Sequence, residues 1–435
     1  MKRFFKFIIP SIISMWVFAL YTMVDGYFVS NYVGEIEFSA VNISMPIVTL
    51  FFAIGILLSI GTQARVGMCL GRGENQRANT IFTTSVLSLL IIGITVSMIL
   101  FFSLDKVVNM LGVTDATVLF VKEYLSTVIP FGAFFMLSYQ LEVMVKVDGS
   151  PHIAAFSVAL AAISNVGLDY LFIVVFHMGI FGAAFATGIA QTVSTAAFLI
   201  HFLKKKGRIK FTKKLDFSVL KTTIPLGLGD AISEIALGFT VFLFNTNLLK
   251  VFGEDAVVAY TVISYLSVLV SVTMTGVAQG LAPLFSYNYG HKDYKKIKFY
   301  VLNGVISIIA IASFFMIILN FYAEPIVHLF LDDGSTLMDE TLEALGRYLW
   351  AYPFIGLNGL MVTFFASLGK GRMATVLSAL RTPIAISVMM YLTRHFLPDY
   401  MIWYVLAFAE AAVFPIGLYF LVKYIVRPLR YRKAE

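Results

Sequence analysis

Long apolar runs bounded by charged residues or by Gly and Pro divide the whole chain. They fall near residues 7–33, 39–64, 80–103, 118–145, 151–176 and 179–203, and again near 220–249, 256–285, 299–322, 345–369, 373–396 and 400–425. Each is long enough to cross a bilayer as a helix, which takes roughly 20 apolar residues. The pattern predicts an all-α membrane protein of twelve transmembrane helices in two groups of six. The opening, MKRFFKFIIPSIISMW, starts like a signal peptide. Its apolar run continues too far and has no small-residue cleavage site, so it is predicted to be an uncleaved first span.

The two groups repeat. Gly34, Ala40, Gly61 and Gly71 recur 219 residues later as Gly253, Ala259, Gly280 and Gly290. Pro10 and Pro225 stand ahead of these sets, and Pro130 and Pro353 fall in the fourth and tenth spans. Four matches at one offset, joined by prolines in corresponding spans, predict duplicated six-helix lobes of the same orientation around a central cavity. The expected organisation is an N-lobe over 1–203, a basic cytoplasmic linker over 204–219, and a C-lobe with a cytoplasmic tail over 220–435.

Composition excludes a water-soluble enzyme: 59% of residues are apolar and 13% charged, against about a quarter charged in soluble proteins. The single Cys69 leaves no internal disulfide framework and no multi-cysteine metal site. A net charge of +7 would suggest a nucleic-acid partner in a soluble protein. Here the charges sort by loop instead. With the N-terminus inside, 27 of the 32 Lys and Arg fall on the inner side; Lys106, Lys122, Lys250, Arg347 and Arg394 fall outside. Glu35, Glu37, Asp332, Asp333, Asp339 and Glu340 also fall outside, and the linker KKKGRIKFTKK at 204–214 falls inside. This asymmetry predicts a multi-pass cell-membrane protein, a monomer with both termini cytoplasmic and a linker that touches lipid headgroups. No phosphate-cradling Gly-x-x-x-x-Gly-Lys-Ser/Thr loop occurs, and the six His lack ligand spacing. Neither ATP hydrolysis, a zinc site nor an organic cofactor is expected.

An ionisable group near the bilayer centre costs roughly 2.5–3.5 kcal/mol on insertion scales, so each invites a functional reading. Asp25 in the first span, Asp169 in the fifth and Thr187 in the sixth lie at similar depths, about 10–12 Å below the outer face at 1.5 Å per residue. Asn165 shares the helix face of Asp169, one turn deeper. These oxygen groups predict a site for Na⁺ or for a proton shared between two carboxyls; the plainer reading is a polar cluster that fixes helix packing. Beyond a Na⁺ held there, no metal is expected.

In the second lobe, Asp230 and Glu234 share one face of the seventh span, and Glu410 lies in the twelfth. All three are candidates for ion or substrate contact. Arg381 lies at the depth of Asp230, which predicts an Arg381–Asp230 pair. Glu142 and Lys146, four residues apart at the inner end of the fourth span, are expected to form a salt bridge within reach of solvent. Tyr21, Met136 and Tyr139 are candidate cavity aromatics and thioethers for flat cationic substrates.

The stretches VDGYFVSNYVG at 24–34, NVGLDYLFIVVFHMGIFGAAFATGIAQ at 165–191 and GVAQGLAPLFSYNYGHKD at 276–293 resemble the multidrug and toxic compound extrusion (MATE) family. The resemblance covers essentially the whole chain. It implies a cation site of one aspartate on the first span, an Asn-x-x-x-Asp pair on the fifth and a threonine on the sixth. Those are Asp25, Asn165, Asp169 and Thr187. It also implies bending of the first span at Pro10. Tyr170 stands where relatives often carry Pro, and Lys146 and Asp148 where Arg and Gln are common.

The expected function is a secondary antiporter that exports organic, cationic compounds in exchange for H⁺ or Na⁺. The rival is a flippase for lipid-linked oligosaccharides of the same superfamily. Such a protein is expected to line its cavity with cationic residues, and the N-lobe sequence suggests no buried Arg or Lys.

Overall fold

A computed structural model describes residues 1–204, 207–328, 330–331 and 336–423, and every regular element among them is helical. Among the described residues, twelve helices are long and apolar enough to cross a membrane. Six form the N-lobe: span 1 (Lys2–Val33), span 2 (Glu35–Arg72), span 3 (Asn75–Phe102), span 4 (Val118–Val147), span 5 (Pro151–Val175) and span 6 (Gly179–Leu203). Six form the C-lobe: span 7 (Phe217–Phe252), span 8 (Glu254–Gly290), span 9 (Tyr294–Phe321), span 10 (Leu337–Ser367), span 11 (Gly371–Phe396) and span 12 (Asp399–Leu421). Asp332, Asp333, Lys205, Lys206 and the tail from 424 lie outside the described residues.

Two spans depart most from the apolar runs. Span 2 continues through GTQARVGMCLGR because its end is set by a backbone signal, Gly73 at φ +81°, and not by the loss of apolar residues. Span 10 begins early because acidic residues on the exposed face of TLMDETLEALGRY mask an apolar stripe of Met338, Ala344, Leu345 and Tyr348.

The repeat is visible in the packing. Span 1 packs on spans 5 and 8, and span 7 on spans 11 and 2; span 2 packs on span 4 and span 8 on span 10; spans 2 and 8 cross each other. The lobes meet through paired glycines. A Cβ on Gly71 would lie 2.1 Å from the Tyr287 carbonyl, and one on Gly290 2.1 Å from that of Met68. A Cβ on Gly61 would lie 2.0 Å from the Thr223 carbonyl, while one on Gly280 would meet Phe7 and Ile8 at 2.9–3.0 Å. Gly227 faces Leu57 and Gly276 faces Ile12 in the same manner. The Gly71 and Gly290 contacts map onto each other at the offset of 219, and the other two pairs do so when spans 1 and 7 are aligned on Pro10 and Pro225, so the seam is a backbone-to-backbone contact used twice.

All these contacts lie on the half of the molecule that carries the start of span 1 and the linker, here the linker side. The polar contacts between the lobes keep to that half or reach the middle. Trp16 Nε1 donates to Thr273 Oγ1 at 2.7 Å, near the midpoints of spans 1 and 8; Arg65 reaches Thr222 at 3.0 Å, and His291 meets the Gly71 carbonyl at 3.3 Å. Arg3 and Arg208 both lie over the Tyr287 ring, at 5.4 and 5.8 Å. The lobes are therefore joined through the linker-side half of the molecule.

The basic linker is strapped to the N-lobe by its backbone. Asp148 accepts from the amides of Arg208 and Ile209 at 2.7 and 2.9 Å and meets His201 Nε2 at 2.8 Å. A Cβ on Gly207 would lie 1.7 Å from the Asp148 carboxylate, so this crossing needs glycine. Further along, Lys210, Thr212 and Asp216 donate their amides to Asn79, Thr83 and Thr84 at 2.9–3.0 Å. Removing a carboxylate that takes three donors frees the strap. Asp148→Ala is expected to speed tryptic cleavage at Arg208 and Lys210 by about tenfold while the helical core melts as before; an unchanged digestion rate would contradict this.

Candidate functional site

The first two acids sit where helices change register. Asp25 lies just before a π-helical turn, Val29–Val33, that ends at Gly34, and Asp169 just before another, Tyr170–Val175. A π turn inserts an extra residue and widens the helix locally, a feature frequent at functional sites. Spans 1 and 5 pack together, and the carboxyls of Asp25 and Asp169 come within hydrogen-bonding range of each other.

A carboxylate only accepts, so this contact requires a proton or a cation between the two groups. The protein itself supplies neither. Asp25 Oδ1, both oxygens of Asp169 and both ends of the Asn165 amide are buried without a hydrogen-bond partner, and Asn165 and Asp169 are wholly inaccessible. Buried polar atoms are normally satisfied, so five unpartnered ones on two neighbouring spans are an exception that a purely structural cluster does not explain. The donor set, two carboxyls and a carboxamide oxygen, suits Na⁺ or a shared proton.

Thr187 is half-buried on span 6, which packs on span 5; Gln191, one turn later, donates to the Tyr21 hydroxyl at 3.3 Å. Tyr124, on span 4, lies in electrostatic reach of both acids and of Tyr21. Tyr21 thus belongs to the wall of the acid pair. Sequence reading missed Tyr124 and Gln191. Gln191 was signalled by its helical spacing from Thr187, whereas Tyr124 carried no signal. Tyr170, where the sequence departs from the family pattern, is 55% exposed, whereas Asp169 beside it is fully buried.

In the C-lobe the expected Arg381–Asp230 pair does not form. Arg381 turns to Glu410 instead: its Nε and Nη2 lie 3.0 and 2.8 Å from Oε1, and Asn358 donates to Oε2 at 2.7 Å. Arg381 also donates to the Ile355 carbonyl at 3.3 Å. Glu410 is therefore committed to an arrangement that ties spans 10, 11 and 12. Depth placed Arg381 correctly but could not give its direction, because residues 380–384 form a π turn that shifts the helical phase.

Asp230 keeps a buried Oδ2 without a partner and lines a cavity of about 50 Å³ between the lobes, together with Gln63, Tyr139, Lys146 and Gln279. That is room for a few waters and nothing drug-sized. Tyr139 is also in electrostatic reach of Glu142 and Glu234, so span 4 and the acids of span 7 meet here. Glu234 is half-buried. Met136 does not line the cavity: it is fully buried in the N-lobe core against Gly55 of span 2.

Lys146 and Glu142 are paired at 2.7 Å, yet not within reach of solvent. Lys146 is 1% exposed. The reading that the N-lobe lacks a buried cation is corrected accordingly. The helix continues to Val147, and the linker strap and span 8 cover what sequence alone leaves as an open helix end.

Two duplicated six-helix lobes, joined through one half of the molecule and holding an orphaned acid pair inside the apolar slab, define a twelve-span membrane transporter. The family model described as MatE matches twice, over residues 10–171 and 231–392, once in each lobe, and the chain belongs to that family. Among its relatives are the multidrug export protein MepA of Staphylococcus saprophyticus, 23% identical over 92% of this chain and 89% of that protein. MepA of Staphylococcus haemolyticus is 23% identical over 99% of this chain and 94% of its own. The fold matches an outward-facing multidrug resistance MATE family transporter with a TM-score of 0.92, at 20% identity over 98% of this chain and 96% of that one. It also matches a MOP superfamily transporter from Pyrococcus furiosus, described as having a binding pocket of reverse polarity, with a TM-score of 0.91 at 20% identity over the same shares.

Proposed function

We propose that this protein exports organic, cationic compounds of several kinds in exchange for inward movement of H⁺ or Na⁺, with the linker side in the cytoplasm. The observation that carries this reading is the orphaned pair Asp25–Asp169, two facing carboxyls with no protein donor between them. The excess of Lys and Arg in the linker-side loops supports the orientation. The names of the staphylococcal relatives support the cargo.

In this mechanism the ion enters from the far side and bridges Asp25 and Asp169, with Asn165 and Thr187 supplying further oxygens. Ion binding lowers affinity for substrate, substrate leaves, and the lobes return to open on the linker side. Differential affinity between the two states does the coupling. One proton moving across about 100 mV supplies roughly 2.3 kcal/mol, and a unit of pH difference adds about 1.4 kcal/mol. No further cofactor is required, and a single chain contains both lobes, so the working unit is a monomer.

The flippase reading is weaker. The cavity does contain Lys146, but Glu142 neutralises it at 2.7 Å and Asp230 adds an acid, so the lining offers no net positive charge to a pyrophosphate. Efflux from proteoliposomes, with pH and Na⁺ gradients imposed separately over a panel of dyes and antibiotics, tests the proposal. Export of several cations driven by one of the two gradients is expected. Gradient-independent leakage, or movement of a lipid-linked sugar alone, would overturn it.

A further inference from the structure

The seam between the lobes is mostly glycine on backbone; besides Trp16–Thr273 and Arg65–Thr222, polar side chains also meet across it at Gln279, the one of these three places that lines the cavity between the lobes. Gln279 belongs to span 8 and precedes Gly280. Its Oε1 accepts from Lys146 Nζ at 3.4 Å, and its Nε2 donates to the Tyr139 hydroxyl at 3.3 Å. Both partners belong to span 4, seven residues apart, and so lie on one helix face. A single amide of the C-lobe is thus held at both ends by the N-lobe.

The charge of Lys146 is met by Glu142 on its own helix, so that ion pair moves with the N-lobe and does not bind the lobes together. The two bonds to Gln279 do. Both are at the long end of hydrogen-bond range, so a small separation of the lobes breaks them. The adjoining cavity of about 50 Å³ is polar and can admit the water that would take their place. By contrast, the glycine contacts around it resist compression but have no directional partner to lose.

We propose that Gln279 is the clasp of the linker-side gate: a positioning residue that, through Lys146 and Tyr139, sets the balance between the state closed on the linker side and the state open there. This rests on the exporter reading only for the existence of two such states, and its test needs no ion gradient.

Spin labels at Gln76→Cys and Lys295→Cys, exposed positions on the linker-side ends of spans 3 and 9, report the gap between the lobes by pulsed electron resonance. The full chain is used in lipid nanodiscs with Cys69→Ser. Gln279→Leu removes both bonds at similar size and is expected to raise the long-distance population about tenfold. Gln279→Glu is expected to shift it the opposite way, because the introduced carboxylate accepts from the Lys146 ammonium and from the Tyr139 hydroxyl. Opposite shifts by two variants at one position separate a clasp from general loosening. Shifts in the same direction, or none in either variant, would overturn the proposal. Failure of gradient-driven export with opposite distance shifts intact would instead overturn the ion-coupling reading alone.

Discussion

Replacing either acid of the N-lobe pair by its amide is expected to reduce gradient-driven export to the background of empty vesicles. In Asp25→Asn or Asp169→Asn, one partner can no longer ionise, and the remaining carboxyl has lost the group with which it shares a cation. The substitution is nearly isosteric, and it removes a buried group whose charged form is costly in low dielectric. Export therefore falls while the folded protein melts at the same temperature or higher. Transport and thermal melting of the same preparations check the expectation. Export lost together with the fold would point to a packing role for these acids, and export retained by both variants would remove them from the coupling step.

The second large effect lies in the other lobe and is one of stability. Arg381→Met strands Glu410, 2% exposed and otherwise hydrogen-bonded to Asn358, without its counter-charge. Breaking a buried pair on one side costs about 3–5 kcal/mol, whereas replacing both partners by neutral groups is often nearly neutral. Arg381→Met alone is expected to lower the melting temperature sharply. The double variant Arg381→Met with Glu410→Gln recovers most of the loss and transports at close to the parental rate. A folded but inactive double variant would assign Glu410 a part in the transport cycle. The contrast between the two carboxyl sites is instructive: Glu410 is fully provided with donors by its own lobe, while Asp25 and Asp169 are provided with none.

How far these sites were legible depended on what a one-dimensional pattern encodes. The spans follow from hydropathy because the bilayer imposes one length on every helix. The duplicate lobes follow from glycines that recur because each permits the same close crossing, such as Gly71 on Tyr287 and Gly290 on Met68. The acid pair was accessible because depth along a helix is a count of residues. Rotation about the helix axis is not, which is why Arg381 was assigned the wrong partner across a π turn. Contacts between lobes, such as Lys146 with Gln279, join residues 133 positions apart and carry no periodic signal. The linker read as a basic tether to lipid, yet its backbone is bound to Asp148, Asn79, Thr83 and Thr84, which composition cannot reveal.

Competition between ion and substrate for one protein tests the account most directly, since linkage requires each to lower the affinity of the other by the same factor. Purified protein in weakly buffered detergent solution is titrated with an exported cation while the release of protons or of bound ²²Na⁺ is recorded. The account predicts release of one of these ions on substrate binding, and its loss in the double variant Asp25→Asn with Asp169→Asn. Equal release from the parental protein and the double variant would place the coupling ion somewhere other than between spans 1 and 5.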